Sequence, residues 1–214
     1  MQSSALTARH LSLLRALDPS MDMRVADAAA LPLEDASADL AIAFMSLHDI
    51  DAMPVAVHEI ARVLERGGRL CLAIVHPINS AGRFETEQGD APFVIKGDYL
   101  RPFSYSDKID RDGLSMTFHS QHRPLEAYFL ALEEAGFLVE TLREPGVPSH
   151  AADLERRHRW QRLPLFLHIR ARIVSRGSPM DWKLDRGANG DYIARAMAQL
   201  AIPAPADRAH ATSV

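Results

Sequence analysis

The chain has 214 residues, 47% of them hydrophobic and 24% charged, and a formal net charge of −4, the balance of a soluble globular protein with room for one ordinary domain and an appendage. That slight acidity argues against a nucleic-acid partner, which calls for a basic stripe, and a single cysteine, Cys71, excludes a disulfide framework within the chain. No run approaches the ~18 apolar residues of a membrane span. The N-terminus MQSSALTARHLSLLRALDP lacks the continuous apolar core of a signal peptide. A cytoplasmic enzyme or binding protein without membrane contacts is therefore expected.

In chain order, residues 4–17 place Leu6, Leu11, Leu13, Leu14 and Leu17 in a pattern that predicts a helix, stopped by Asp18-Pro19. DMRVA, 22–26, predicts a short strand ending at Asp27, and a loop of small residues follows over 28–38. DLAIAFM, 39–45, is apolar nearly throughout, as in a parallel strand covered on both faces. PVAVHEIARVLE, 54–65, predicts a helix with Pro54 in its first turn and a buried stripe of Val55, Ile60, Val63 and Leu64, ended by Gly67-Gly68. RLCLAIV, 69–75, is the next buried strand, so strand, helix and strand form a crossover unit of a parallel α/β sheet. A second helix and strand follow at 124–137 and 138–144, and LPLFLHIRARIV, 163–174, predicts a last strand, antiparallel at or near one edge. Residues 78–122 are too long for a plain loop in a compact domain and predict a lid over the carboxyl ends of the strands. Its Tyr99, Phe103 and Tyr105 either wall a substrate pocket or form the lid's own small core. The domain is expected to span 1–175, with 176–214 a partly flexible tail that carries one helix in DYIARAMAQLA.

Three segments in this order resemble the class I S-adenosylmethionine-dependent methyltransferases of the bacterial small-molecule type: VADAAALPLEDASADLAIAFMSLHDI, HEIARVLERGGRLCLAIVHP and HRPLEAYFLALEEAGFLVETLREP. The resemblance implies a Rossmann-like, mostly parallel sheet with flanking helices, S-adenosylmethionine as cofactor and a small molecule as methyl acceptor. The family's first strand–helix–strand unit, with its Gly-rich turn, precedes the first of these segments. No such turn stands before Asp27, and the first glycine is Gly67. The expectation is a chain that lacks that unit, binds its cofactor weakly, and exposes an apolar sheet edge that invites a homodimer. A binding or scaffold protein on the same fold is the alternative. A dinucleotide-dependent oxidoreductase fits less well, because G-x-G-x-x-G is absent.

For site residues, the resemblance assigns Asp27 to the adenine amine and the Ala28 N–H to the adjacent ring nitrogen, and Leu31 is placed to pack on that ring. It places Phe44 and Met45 on the methionine side. Against these stand a turn-capping Asp27 and a Phe44 and Met45 that merely fill the core. His48, on the loop after the strand, is a candidate general base or a loop-ordering residue. His76, at the end of the next strand, is a candidate for substrate contact. His119 and His122, with no cysteine or close carboxylate, fall short of a zinc set, so no metal is expected. Glu59 and Arg62 read as the solvated face of their helix.

Overall fold

The computed structural model of the chain describes residues 16, 18–20, 22–111, 114–147 and 158–174, all within the unit Met1–Ser178. Its central sheet has four strands in the order β1 (Ala38–Phe44), β2 (Leu64–Val75), β8 (Phe166–Ile173), β7 (Phe137–Arg143). β1 and β2 are parallel neighbours, with Leu40 opposite Arg69 and Phe44 opposite Ala73, as the crossover pattern predicts. Helix α1 (Met53–Val63) makes that crossover. β8 runs antiparallel to both β2 and β7, so β7 points the same way as β1 and β2. The last strand in sequence thus slots in one place from the edge rather than forming it.

Alternation explains where the core lies. Leu70, Leu72 and Ile74 of β2 and Leu167, Ile169, Ala171 and Ile173 of β8 all bury on one face, because successive side chains of a strand point to opposite sides. Met53, Ala56, Val57 and Ala61 of α1 cover this face together with Tyr128, Ala131 and Leu132 of α3 (Leu125–Glu134). Each large side chain taken fully out of water here contributes about 1.5–3 kcal/mol. Val55, expected in the buried stripe, is 50% exposed; the stripe instead runs through residues three or four apart from Met53.

The other face departs from expectation. Leu40, Ile42 and Phe44 are 48%, 69% and 72% exposed, so the apolar run of β1 is not covered on both sides by described residues. Further across, the same face is polar, with Glu140 paired to Arg69, Arg170 and Arg172 at 3.1 Å each. Residues 22–26 form no strand, and Val25 is 60% exposed. Beyond β1 there is no described strand to pair with, and an unpaired strand leaves its backbone groups unsatisfied.

The glycine pair also does more than stop a helix. α1 ends at Val63, and β2 begins at once, with the register jumping from Ala38–Leu64 to Leu40–Arg69. Gly67 turns this irregularity at φ +86°, and a Cβ on Gly68 would meet the carbonyl oxygens of Glu65 at 2.9 Å and Asp39 at 3.1 Å. After β2 come a short helix α2 (Pro77–Ala81), a hairpin of β3 (Gly82–Phe84) and β4 (Phe93–Ile95), and a hairpin of β5 (Phe103–Arg111) and β6 (Leu114–His122). The helix expected over 4–17 and the tail 176–214 lie outside the described residues, apart from Ala16. No described helix is long and apolar enough to cross a membrane.

Candidate active site

β1 and β2 end side by side, and in open α/β sheets ligands bind beyond the carboxyl ends of such strands. Here a cleft of ≈ 350 Å³ opens between these ends and the β5–β6 hairpin, lined by Met45, His48, Asp49, Val75, Asn79, Ser80, Tyr105, Asp107, Phe118 and Ser120. Cross-strand partners share a face of a hairpin, so the pairs Tyr105–Ser120 and Asp107–Phe118 both turn to the cleft, with Phe103–His122 next along the same face. Ser104, Ser106 and Lys108 point the other way.

The hairpin is pinned to the loop that follows β1. Ser120 Oγ donates to Asp49 Oδ1 at 2.6 Å, and Gln121 Nε2 to Asp51 Oδ1 at 2.8 Å. Arg123, just past β6, donates to the carbonyls of Ile50 at 2.6 Å, Asp51 at 3.0 Å and His48 at 3.4 Å. His122 is fully buried between a stacked Phe103 ring at 4.6 Å and an edge-on Tyr99 ring at 5.5 Å. Of the three aromatics singled out in the sequence, Tyr105 therefore lines the cleft, while Tyr99 and Phe103 pack around His122.

His48 sits in a single 3-10 turn, Leu47–Asp49, and is only 7% exposed. Its Nε2 stands 3.6 Å from Asp49 Oδ1, and its Nδ1 has no hydrogen-bond partner. Burial pushes the imidazole below the usual histidine range, against a smaller upward pull from Asp49, so the ring is neutral near pH 7. With the ring proton assigned to Nε2, facing the carboxylate, Nδ1 is left with a free lone pair. A cavity of about 10 Å³ beside it, bounded by Tyr105, Gln121, Arg123 and Tyr128 among others, is roughly the size of one water. Burial holds the neighbouring Tyr128 phenol up at about 12, so it stays protonated.

His76 is arranged differently. Its Nδ1 accepts from the Ile78 N–H at 3.1 Å, capping α2, and its Nε2 faces Glu144 Oε1 at 3.0 Å. Both ring nitrogens are thus engaged, and the side chain stands behind the cleft rather than in its lining. His119 meets Ser106 Oγ at 2.8 Å on the hairpin's outer side, and no group of three or more potential metal ligands occurs among the described residues.

On the cofactor side, Asp27 Oδ1 accepts from the Ala29 N–H at 2.9 Å, so the side chain does cap its own turn. Its other oxygen and the Ala28 N–H carry no partner among the described residues, which leaves one acceptor and one donor side by side, the pair an adenine edge requires. The segment after it is held by α1. Leu31 N–H donates to Glu59 Oε2 at 3.0 Å, and Arg62 donates to the Leu31 and Leu33 carbonyls at 3.1 and 2.9 Å, to Asp35 at 2.7 Å and to Glu59 at 2.9 Å. Glu59 and Arg62 thus clamp this loop instead of facing bulk water. Phe44 lies on the open face of β1 and is no core residue, whereas Met45 reaches the cleft from a left-handed backbone, φ 50°, a conformation uncommon for non-glycine residues. Asn79, Ser80, Asp107 and Ser120 were not singled out by the sequence; the period-two run of Phe103, Tyr105 and Asp107 was the available signal.

Residues 3–72 match the model of the methyltransferase domain family. No curated protein gives a match. Among solved structures, an S-adenosylmethionine-dependent methyltransferase from Mesorhizobium loti is 26% identical, with 75% of this chain and 74% of that chain covered and a TM-score of 0.55. A candidate methyltransferase of the same class from Listeria monocytogenes is 17% identical over 76% of this chain and 75% of that chain, with a TM-score of 0.60. One from Clostridium acetobutylicum is 11% identical over 80% and 72%, at a TM-score of 0.50. These last two bear on the fold alone. The domain match over the loop and strand that carry Asp27 and Met45, joined to this sheet order, gives the chain the class I methyltransferase fold and makes it similar to the S-adenosylmethionine-dependent methyltransferases.

Proposed function

We propose that the chain transfers a methyl group from S-adenosylmethionine to a small molecule held beneath the β5–β6 hairpin, with His48 as the base that takes the acceptor's proton. The observation that carries this reading is the buried imidazole with an unpartnered Nδ1 beside the cleft. When bound, the cofactor supplies an electrophilic methyl on a sulfonium. Displacement at that carbon needs alignment above all, and a base only when the nucleophile carries a proton. Asp27 and Ala28 are the proposed adenine contacts, Leu31 the residue packing on the ring, and Phe44 and Met45 the neighbours of the methionine end. His76 is better supported as a positioning residue that fixes α2 than as a substrate contact.

Calorimetric titration with S-adenosylhomocysteine tests the cofactor half. Binding that weakens about tenfold in Asp27→Ala, equivalent to ~1.4 kcal/mol, supports the assignment; an unchanged affinity refutes it. A second reading, a binding protein on the same fold, is favoured by one observation: the Asp27 side chain caps its own turn through the Ala29 N–H at 2.9 Å. Absence of S-adenosylhomocysteine binding by the 214-residue chain decides for that reading.

A further inference from the structure

The polar groups around the cleft share a property that follows from proton bookkeeping. Asp49 accepts only, so the Ser120 hydroxyl proton is spent on it. His122 Nε2 faces the Tyr99 carbonyl at 2.8 Å and must donate, which leaves Nδ1 to accept from Ser80 Oγ at 2.7 Å. The alternative partner of Ser80 is the Pro77 carbonyl at 3.1 Å. Either way, the Ser80 proton points away from the cleft. Both donor sites of the Asn79 amide are used by the carbonyls of Pro164 and Leu165, at 3.1 and 2.9 Å, and its Oδ1 is buried without a partner. Tyr105, within reach of Ser80 and Ser120, finds both hydroxyl protons already used and so donates its own, keeping its lone pairs unopposed.

What remains in the lining is a set of acceptors, the Tyr105 oxygen and the Asp49 and Asp107 carboxylates, with Asn79 Oδ1 and His48 Nδ1 buried without partners in two of the residues that line it. No lysine or arginine lines this cleft. Lys108 is on the opposite face of the hairpin, and the Arg123 guanidinium is occupied by three carbonyls. Met45, Val75 and Phe118 supply the apolar part of the wall.

We infer that the methyl acceptor is an amine, bound as its ammonium form with its N–H groups distributed over these acceptors and an apolar body against Phe118 and Met45. Carboxylates and phosphates are disfavoured by the two carboxylate groups and by the lack of any lysine or arginine in the lining. The inference rests on the methyltransferase reading of the same cleft. In the reaction, the ammonium gives one proton to His48 Nδ1. The freed nitrogen lone pair forms the new N–C bond to the sulfonium methyl, and the C–S electron pair returns to sulfur, yielding S-adenosylhomocysteine and a methylated ammonium. His48 then releases its proton to solvent.

Matched probes test it: 2-phenylethylamine against 3-phenylpropanoate, titrated into the full chain with S-adenosylhomocysteine present and read by ligand-observed NMR. The amine is expected to bind at least about tenfold more tightly than the acid. That preference should shrink in Asp107→Asn, an exposed strand position, shrink further with Asp49→Asn added, and persist in Lys108→Ala on the outer face. Equal or tighter binding of the acid, no binding of the amine, or a preference unchanged in Asp107→Asn overturns the inference. A prior titration with S-adenosylhomocysteine alone separates the two levels. A chain that does not bind it fails the methyltransferase reading, and a chain that binds it but prefers the acid fails only the amine assignment.

Discussion

On the proposed reading, one buried ring, His48, takes the acceptor's proton. Removing it in His48→Asn is expected to lower kcat by about 10²–10⁴, the usual worth of a general base, with KM little changed; equal kcat in the variant would remove His48 from the mechanism. Because burial lowers its pKa, kcat/KM should hold from neutrality down to about pH 6.5 and fall only below it. Stability carries the same sign. His48 and His76 are both held, chiefly by burial, below the unfolded value of about 6.5. The unfolded chain therefore takes up protons first, so stability is complete above that pH and is lost as pH falls from it toward the lowered folded values. Urea denaturation at pH 7.5 and 5.5 checks this. His76→Asn, which keeps an acceptor for the Ile78 N–H, should shrink the drop. The position of His48 beside the strand ends was legible in the sequence because it follows a strand's carboxyl end directly. Asn79 and Ser120 were not, since their role depends on where their protons go, and that is decided by Pro164 and Asp49 far away in the chain.

Among elements, those with a strong local signature were legible. β1, α1 and β2 follow from an apolar run, a proline and a glycine pair, and α3 from its own periodicity. Residues 22–26 misled because strand propensity is realised only beside a partner. The β5–β6 hairpin was read as part of a lid and not as strands, since polar residues weaken the apolar contrast of both of its faces. β8's slot between β2 and β7 has no local signature at all; it is fixed by which edges remain free once the crossover has formed. Two expected outcomes probe these elements. Ile74→Ala, at 0% exposure in β2, should destabilise by about 2–5 kcal/mol in urea titration. Arg62→Ala should speed hydrogen exchange at the Leu31 N–H, because the clamp that seats it on Glu59 is gone; unaltered exchange would show that the loop holds itself.

For the molecule as a whole, the imbalance between the two sides of the sheet matters most. One side is sealed by α1 and α3, and the other presents Leu40, Ile42 and Phe44 along an outer strand. An apolar edge of this kind is a template for pairing with another chain. Self-association at high concentration is expected for the parent chain and should fall in Ile42→Lys, as measured by sedimentation velocity. Identical sedimentation of the two at every concentration would rule this edge out as the contact.

Strict alternation in the β5–β6 hairpin has a consequence for how this protein can diverge. Its inward row carries Tyr105 and Asp107, and its outward row carries Ser106 and Lys108. A one-residue slip exchanges the two rows entirely. One codon removed from the base of each strand would therefore bring the Lys108–Thr117 pair into the place of Asp107 and Phe118, presenting a lysine where an aspartate had been. On the amine reading, such a descendant would invert its preference from cations to anions through two single-codon changes, while Asp27, Met45 and His48, on other parts of the chain, stayed untouched.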